Sequence, residues 1–248
     1  MRKVFTPAHE SEASQNTFSS YLKGKAIKLN ENKLIASGDK GYRTVLGTQG
    51  VTEGTFYYEL TILNPSSEEL EIPENSIPPS APILEPLLTT ANTLCLQTHK
   101  TSSINMDKAA SRVGFATNQA ELEMCVGADN YGFGLRSTDG CVFHKGSRKE
   151  FSSGYEIGSI IGCLIHLPPQ RPRIKGVTDS GLVKSEGSEI HFFKNGRHLG
   201  CAFKDFYEGC YFPAVALYEY SRAEINLSPE VRYPEILETY NAKPFFCD

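Results

Sequence analysis

The chain has 248 residues, 40% hydrophobic and 22% charged, with 21 Gly, 14 Pro and no Trp. This composition is typical of a turn-rich globular protein and excludes collagen-like, coiled-coil and wholly disordered chains. The formal net charge of −4 argues against a protein that covers nucleic acid with basic surface. No apolar run approaches the roughly 20 residues of a membrane span, and the polar start predicts no secretory signal.

The β-type runs follow one another along the chain. Residues 55–62 alternate, with Phe56, Tyr58, Leu60 and Ile62 on one face. Residues 159–167 predict a strand that is buried on both faces. Residues 189–203 predict a hairpin, because Asn195-Gly196 fits a type I′ turn. Residues 215–218 and 222–227 predict two more strands. Helical periodicity is nearly absent, so we expect an all-β fold, an antiparallel β-sandwich.

Two segments interrupt this pattern. Residues 64–111 hold 6 of the 14 prolines, no glycine and no aromatic residue, and their charges account for the whole net charge of −4. A long acidic, Pro-rich segment without large packing residues predicts an insertion rather than core. Residues 168–187 are rich in Pro and Gly and predict a second long loop. We therefore divide the chain into an N-terminal extension (1–19), one domain (20–234) and a C-terminal tail (235–248).

The sequence predicts no metal site, no cofactor and no enzyme activity. The cysteines are scattered, odd in number and without a Cys-x-x-Cys pair, which favours free thiols in a reducing compartment. The histidines never take the i, i+4 spacing of metal ligands. These residues are Cys95, Cys125, Cys141, Cys163, Cys201, Cys210 and Cys247, with His9, His99, His144, His166, His191 and His198.

Catalytic alternatives are weak. A glycosidase on a β-sandwich needs two carboxylates across a cleft, and the nearest candidates are Glu121 and Glu123, which are better explained as solvated rim carboxylates. Gly132 and Gly134 resemble half a phosphate loop, but no helix follows, so we expect them to let a neighbouring backbone approach closely. The basic run 144–149 predicts a solvated hairpin tip rather than a nucleic-acid site.

Several short strings resemble the SPRY family, a concanavalin-like jelly roll. They are Gly38–Tyr42, Gly50–Glu59, Arg112–Phe115, Ser153–Gly162, Phe193–Gly196, Gly209–Ala214 and Ile225–Pro229. Within that family the run 203–209 is most similar to the Ash-two/Bre-two branch. The resemblance covers residues 20–234 apart from the two loops.

The resemblance implies a non-catalytic, nuclear scaffold in a COMPASS-type histone methyltransferase complex. It implies that the domain binds an acidic segment of a WD-repeat subunit of the retinoblastoma-binding-protein-five type, and that the pair stimulates a SET-domain methyltransferase. Family members also bind a Dpy-thirty-type dimer through an amphipathic helix, but residues 235–248 lack a heptad face, so we do not expect that partner. Membrane or sequence-specific nucleic acid binding is not expected.

The resemblance places the partner-binding pocket at Tyr42, Arg112 and Arg136. The family's proline and second tyrosine fall on Cys125 and Ala128, and Tyr131 could replace the missing ring. Two guanidinium groups beside a tyrosine would bind a carboxylate or phosphate, because their paired N–H donors match its oxygens. The alternative is that both arginines pair with nearby acids, such as Asp129 or Asp139.

Two other functions remain open at this stage. One is a SPRY adaptor of another branch, which recruits substrates to a ubiquitin ligase or binds a Ran-related partner. The other is a carbohydrate-active β-sandwich, in which Glu121 would be essential.

Overall fold

A computed structural model describes residues 4–5, 16–39, 41–65, 110–169 and 183–245. Most of the predicted insertion and much of the second predicted loop lie outside these ranges. Within them the regular secondary structure is almost entirely β-strand, and the strands, numbered here along the chain, form two sheets that are antiparallel except at β17. The predicted β-sandwich is confirmed.

The first sheet runs in the order β1-β6-β15-β8-β9-β10-β11, with β5 paired to β15 and β2 paired to β5. Its strands are β1 (Val4–Phe5), β2 (Phe18–Lys23), β5 (Arg43–Gly47), β6 (Gly50–Val51), β8 (Ala110–Thr117), β9 (Gly132–Arg136), β10 (Val142–His144), β11 (Ser147–Lys149) and β15 (Tyr211–Tyr218).

The second sheet runs in the order β14-β13-β12-β7-β16-β4-β3, and β17 pairs with β7 in parallel. Its strands are β3 (Lys28–Leu29), β4 (Ile35–Ser37), β7 (Gly54–Leu63), β12 (Ile160–Leu167), β13 (Glu189–Lys194), β14 (Arg197–Lys204), β16 (Arg222–Asn226) and β17 (Lys243–Pro244).

The core lies between the two sheets, and the alternation of β7 is confirmed. Phe56, Tyr58, Leu60 and Ile62 are all buried in the main cluster. The predicted double burial of residues 159–167 is also confirmed in β12. Asn195-Gly196 joins β13 to β14 with positive φ values of 50° and 79°, as a type I′ turn requires.

The C-terminal segment packs against the outer face of the second sheet. Glu59 in β7 is a buried carboxylate that accepts hydrogen bonds from the backbone N–H groups of Arg232 (2.7 Å) and Tyr233 (3.0 Å). Helix α1 (Pro234–Thr239) begins directly after these two residues. Ile236 of α1 then packs on Tyr57 and neighbouring side chains of that face. None of the helical structure in the described ranges has the length and apolar character needed to span a bilayer.

The packed unit therefore extends beyond the expected boundaries at 20 and 234. Residue 20 lies inside β2, and the described tail returns to the core through β17. Phe245 is 2% exposed, and its ring lies 5.4 Å from Phe56, 5.7 Å from Tyr58 and 6.0 Å from Phe115. The tail is part of the domain because its last described side chain fills space between the sheets.

We predict that Phe245→Ala lowers the free energy of unfolding by about 3–5 kcal/mol, because a large aromatic ring would leave a cavity in a packed core. Urea denaturation measures the change. Tyr21→Ala is the control, since that side chain is 54% exposed, and it should change stability by less than about 0.5 kcal/mol. Equal, small effects of both substitutions would contradict the docking of the tail.

Candidate functional site

Strand register places the two predicted arginines side by side on the first sheet. Arg112 in β8 is the direct partner of Arg136 in β9, and on its other side it is the partner of Ala216 in β15. In the same row, Ala216 pairs with Thr44, two residues after Tyr42. Because alternate residues such as Val113 point into the core, this row lies on the outer face of the sheet.

A loop, residues 118–131, crosses this outer face and forms one wall of the site. Its approach depends on glycine, because a Cβ atom at Gly134 would lie 2.9 Å from the Val126 carbonyl oxygen. A Cβ at Gly132 would lie 2.8 Å from the Gly127 nitrogen, and Gly127 itself has a φ of +84°. The expected role of Gly132 and Gly134, to admit a neighbouring backbone, is confirmed.

Arg112 is held between two aromatic rings. Its guanidinium carbon lies 3.7 Å from the centroid of Phe143 and 5.5 Å from that of Tyr42. The residue is 8% exposed, and its Nη1 donates to the Val126 carbonyl oxygen in a long hydrogen bond of 3.4 Å. Its buried Nε has no hydrogen-bond partner, and no carboxylate of the described residues pairs with it.

Arg136 is in a different state, because Asp139 binds its guanidinium as a two-pronged pair. Nε donates to Oδ1 at 2.9 Å and Nη2 donates to Oδ2 in a very short contact. Arg148 also reaches Oδ2, at 3.3 Å. The hydrogen bonds from Arg136 hold the pKa of Asp139 well below its usual range, and Asp139 in turn raises the pKa of Arg136. The alternative of pairing with a nearby acid therefore holds for Arg136, which pairs with Asp139, whereas Arg112 is buried and pairs with no carboxylate of the described residues.

Tyr42 lies beside Arg112, with its ring 4.9 Å from that of Tyr218. Burial raises the pKa of the Tyr42 hydroxyl, and the positive charge of Arg112 opposes this shift. The phenol is therefore neutral and can act as a hydrogen-bond donor beside the cation.

The remaining predicted residues lie on the crossing loop. Cys125 packs in the same apolar cluster as Tyr42, and its carbonyl accepts the backbone N–H of Ala128 at 3.0 Å in a turn. The backbone N–H of Tyr131 donates to Asp129 at 2.9 Å. Among the described residues no ring contact joins Tyr131 to Tyr42, so the expected replacement of the missing ring has no contact to support it.

Phe143 is the site residue that the sequence reasoning missed. It pairs with Gly134 across β9 and β10, so the absence of a side chain on Gly134 leaves room for the ring to reach both arginines. The signal for Phe143 in the sequence was the alternation of residues 142–144, which the strand register places opposite Gly134. The basic run after it forms the predicted hairpin tip, with positive φ at Lys145 and Gly146.

The candidate carboxylates of a glycosidase have structural roles. Glu123 forms an ion pair with Arg43 at 2.5 Å and accepts the backbone N–H of Lys25 at 2.9 Å. Glu121 is exposed and accepts the backbone N–H of Glu123 at 3.2 Å. These contacts support the interpretation of both as rim carboxylates.

Comparisons with known proteins agree with this architecture. The SPRY domain family model matches residues 182–230. The Set1/Ash2 histone methyltransferase complex subunit ASH2 of Drosophila melanogaster is 28% identical over 88% of this chain and 36% of its own length. COMPASS component cclA of Aspergillus fumigatus is 32% identical over 68% of this chain and 25% of its own length.

Residues 182–230 therefore match a SPRY domain, and over most of its length the chain is similar to Ash2 and COMPASS subunits. It spans about a quarter to two fifths of the length of these curated relatives. The crystal structure of the SPRY domain of human HERC1 covers 87% of the chain with a TM-score of 0.55 at 16% identity, and it supports the fold alone.

We predict that Asp139→Asn lowers the free energy of unfolding at neutral pH by about 1–2 kcal/mol, the range for a partly exposed, two-pronged ion pair. Arg136 depresses the pKa of Asp139 in the folded state, so this stabilisation is complete above the unfolded pKa of about 3.9 and declines as the pH falls below it. Urea denaturation of both proteins between pH 7 and acid conditions measures the difference. If the difference in unfolding free energy between the two proteins grew as the pH fell, the assignment of the Arg136–Asp139 ion pair would be contradicted.

Proposed function

We propose that this SPRY domain is a non-catalytic subunit of a nuclear COMPASS-type histone methyltransferase complex, where it binds an acidic segment of a WD-repeat subunit at Arg112. The names of its relatives, a Set1/Ash2 complex subunit and a COMPASS component, support membership of such a complex. The geometry around Arg112 supports the kind of ligand.

The observation that carries the proposal is a buried guanidinium that pairs with no carboxylate of the described residues. A buried charge is costly unless it is paired, and hydrogen bonds are most valuable where water is excluded. Arg112 has aromatic neighbours, a single long bond to a carbonyl and an unsatisfied Nε. A carboxylate or phosphate from a partner would supply the missing charge and acceptors.

The walls of the site explain why a peptide segment would suit it better than a small anion. The rings of Tyr42 and Phe143 flank the cation, and Cys125 of the crossing loop packs in the same apolar cluster as Tyr42. Ala128 and Tyr131 follow on the same loop. A small anion would bind the guanidinium alone, whereas a peptide also covers apolar surface at the rings. Cys125 and Ala128 offer less ring area than the proline and tyrosine of the family pattern, so Arg112 would contribute a larger share of the affinity.

Arg136 has a secondary part in this proposal. With Asp139 it forms a neutral pair, so its contribution to the attraction of an anion is smaller than that of Arg112. Its guanidinium lies 4.6 Å from the centroid of Phe143 and so helps to position the ring that Arg112 packs against. In the assembled complex, the domain and the WD-repeat subunit together would stimulate the SET-domain methyltransferase.

We predict that Arg112→Gln weakens binding of an acidic peptide from the WD-repeat subunit by about 10–150-fold, the equivalent of about 1.5–3 kcal/mol for a desolvated charged hydrogen bond. Arg112→Lys should also bind more weakly, because an ammonium keeps the charge but lacks the planar pair of donors. Isothermal titration calorimetry measures both affinities, with the peptide in unphosphorylated and phosphorylated form.

Arg197→Gln is the matched control, since it removes the same charge from an exposed position on β14 of the other sheet. It should bind as the unaltered protein does. Urea denaturation shows whether Arg112→Gln remains folded at the assay temperature. Unchanged peptide affinity of a folded Arg112→Gln protein would exclude this site.

We also predict that Arg112→Gln reduces the stimulation of methylation. The assay reconstitutes the SET-domain subunit and the WD-repeat subunit with either protein and follows methyl transfer to a histone substrate. Stimulation should recover at high concentrations of Arg112→Gln, because the substitution weakens assembly rather than chemistry. Full stimulation by a low concentration of the Arg112→Gln protein would contradict the proposed role of Arg112.

A further inference from the structure

The hairpin of β13 and β14 carries a second cluster of polar side chains, on the outer face of the second sheet. Glu189 and His191 alternate along β13, so they share a face, and register places Cys201 of β14 directly opposite His191. His198 precedes Cys201 on the same strand. The cluster is on the sheet that does not contain Arg112, so it is independent of the proposed function.

The donor atoms of three of these residues converge. One carboxylate oxygen of Glu189, one ring nitrogen of His191 and the sulfur of Cys201 all lie within 4.8 Å of one another. His191 Nε2 and Glu189 Oε2 are 3.0 Å apart. His191 is buried, whereas Glu189 and Cys201 are partly exposed, so an ion has a path from solvent.

We propose that Glu189, His191 and Cys201 bind a zinc ion. The combination of oxygen, nitrogen and sulfur donors favours zinc over magnesium and calcium, which prefer oxygen alone. Small rotations of the three side chains would bring their donor atoms to about 2.0–2.3 Å from a common centre. Three protein ligands leave the fourth tetrahedral position for water.

Two of the three ligands would be anionic, and they lie beside the Lys204 ammonium. The Cys201 thiol must release its proton to solvent on binding, and the resulting thiolate and the Glu189 carboxylate then match a divalent cation. Lys204 is bonded to the other carboxylate oxygen, Oε1, at 2.8 Å, so Oε2 remains directed toward His191.

The surrounding residues form the outer shell that metal sites require. His198 Nε2 lies 3.0 Å from His191 Nδ1 and would accept the Nδ1–H of a metal-bound His191, which fixes the ring. The ring of Tyr240, which follows helix α1, lies 5.6 Å from His191 and 5.8 Å from His198. Without metal, the same groups form a hydrogen-bonded relay from Glu189 through His191 to His198.

The test is a zinc titration of the metal-free full chain, purified without a histidine tag. We expect one ion per chain by calorimetry, and a thiolate-to-metal charge-transfer band in the near ultraviolet when cobalt replaces zinc. Cys201→Ser should abolish the band and the tight binding. Cys210→Ser and Cys247→Ser are the matched controls and should retain both.

His198→Gln should weaken zinc binding by about 10–100-fold, the effect of removing an outer-shell partner, without loss of the cobalt band. Urea denaturation in the absence of metal verifies that each variant is folded. If a variant does not fold, the cobalt band of the unaltered chain decides whether a thiolate is a ligand. Absence of stoichiometric zinc binding, or a band that Cys201→Ser retains, would overturn the proposal and leave the hydrogen-bonded relay as the function of the cluster.

Discussion

The proposed function depends on one constraint: a guanidinium is held away from water on the outer face of a sheet, and no carboxylate in the described part of the chain neutralises it. Arg112 is there because a strand alternates and because glycines in β9 let a loop cross over the same face. Phe143 and Tyr42 then exclude solvent but offer no strong hydrogen-bond acceptor. Such an arrangement costs folding free energy, and a bound anion would recover it.

Strand register places the two arginines side by side, but it does not determine whether each of them has an ion-pair partner. Arg112 and Arg136 are direct partners across two strands, yet among the described residues only Arg136 has a carboxylate partner. The difference comes from the turn after β9, which directs Asp139 back toward Arg136. Two adjacent uncompensated cations would repel each other, so neutralising one of them makes the other tolerable.

The sequence predicts this fold well where one local signal is sufficient. The alternation of residues 55–62 and the Asn195-Gly196 turn each determine an element. The sequence predicts the site less well, because the contacts between the site residues depend on tertiary packing. Asp139 was only one of two candidate partners, and Phe143 matters because of the glycine opposite it. The cluster at His191 could not be found from ligand spacing, since Cys201 joins it across a hairpin.

The position of Phe245 has a consequence for biosynthesis. β7 is an interior strand of its sheet, and its neighbours β12, β16 and β17 all come from the later part of the chain. The core is complete only once Phe245 has emerged from the ribosome, because its ring fills space between the two sheets. Pairings so distant in sequence form slowly. Until residue 245 has been made, the growing domain keeps part of its apolar surface exposed, the kind of surface that chaperones bind.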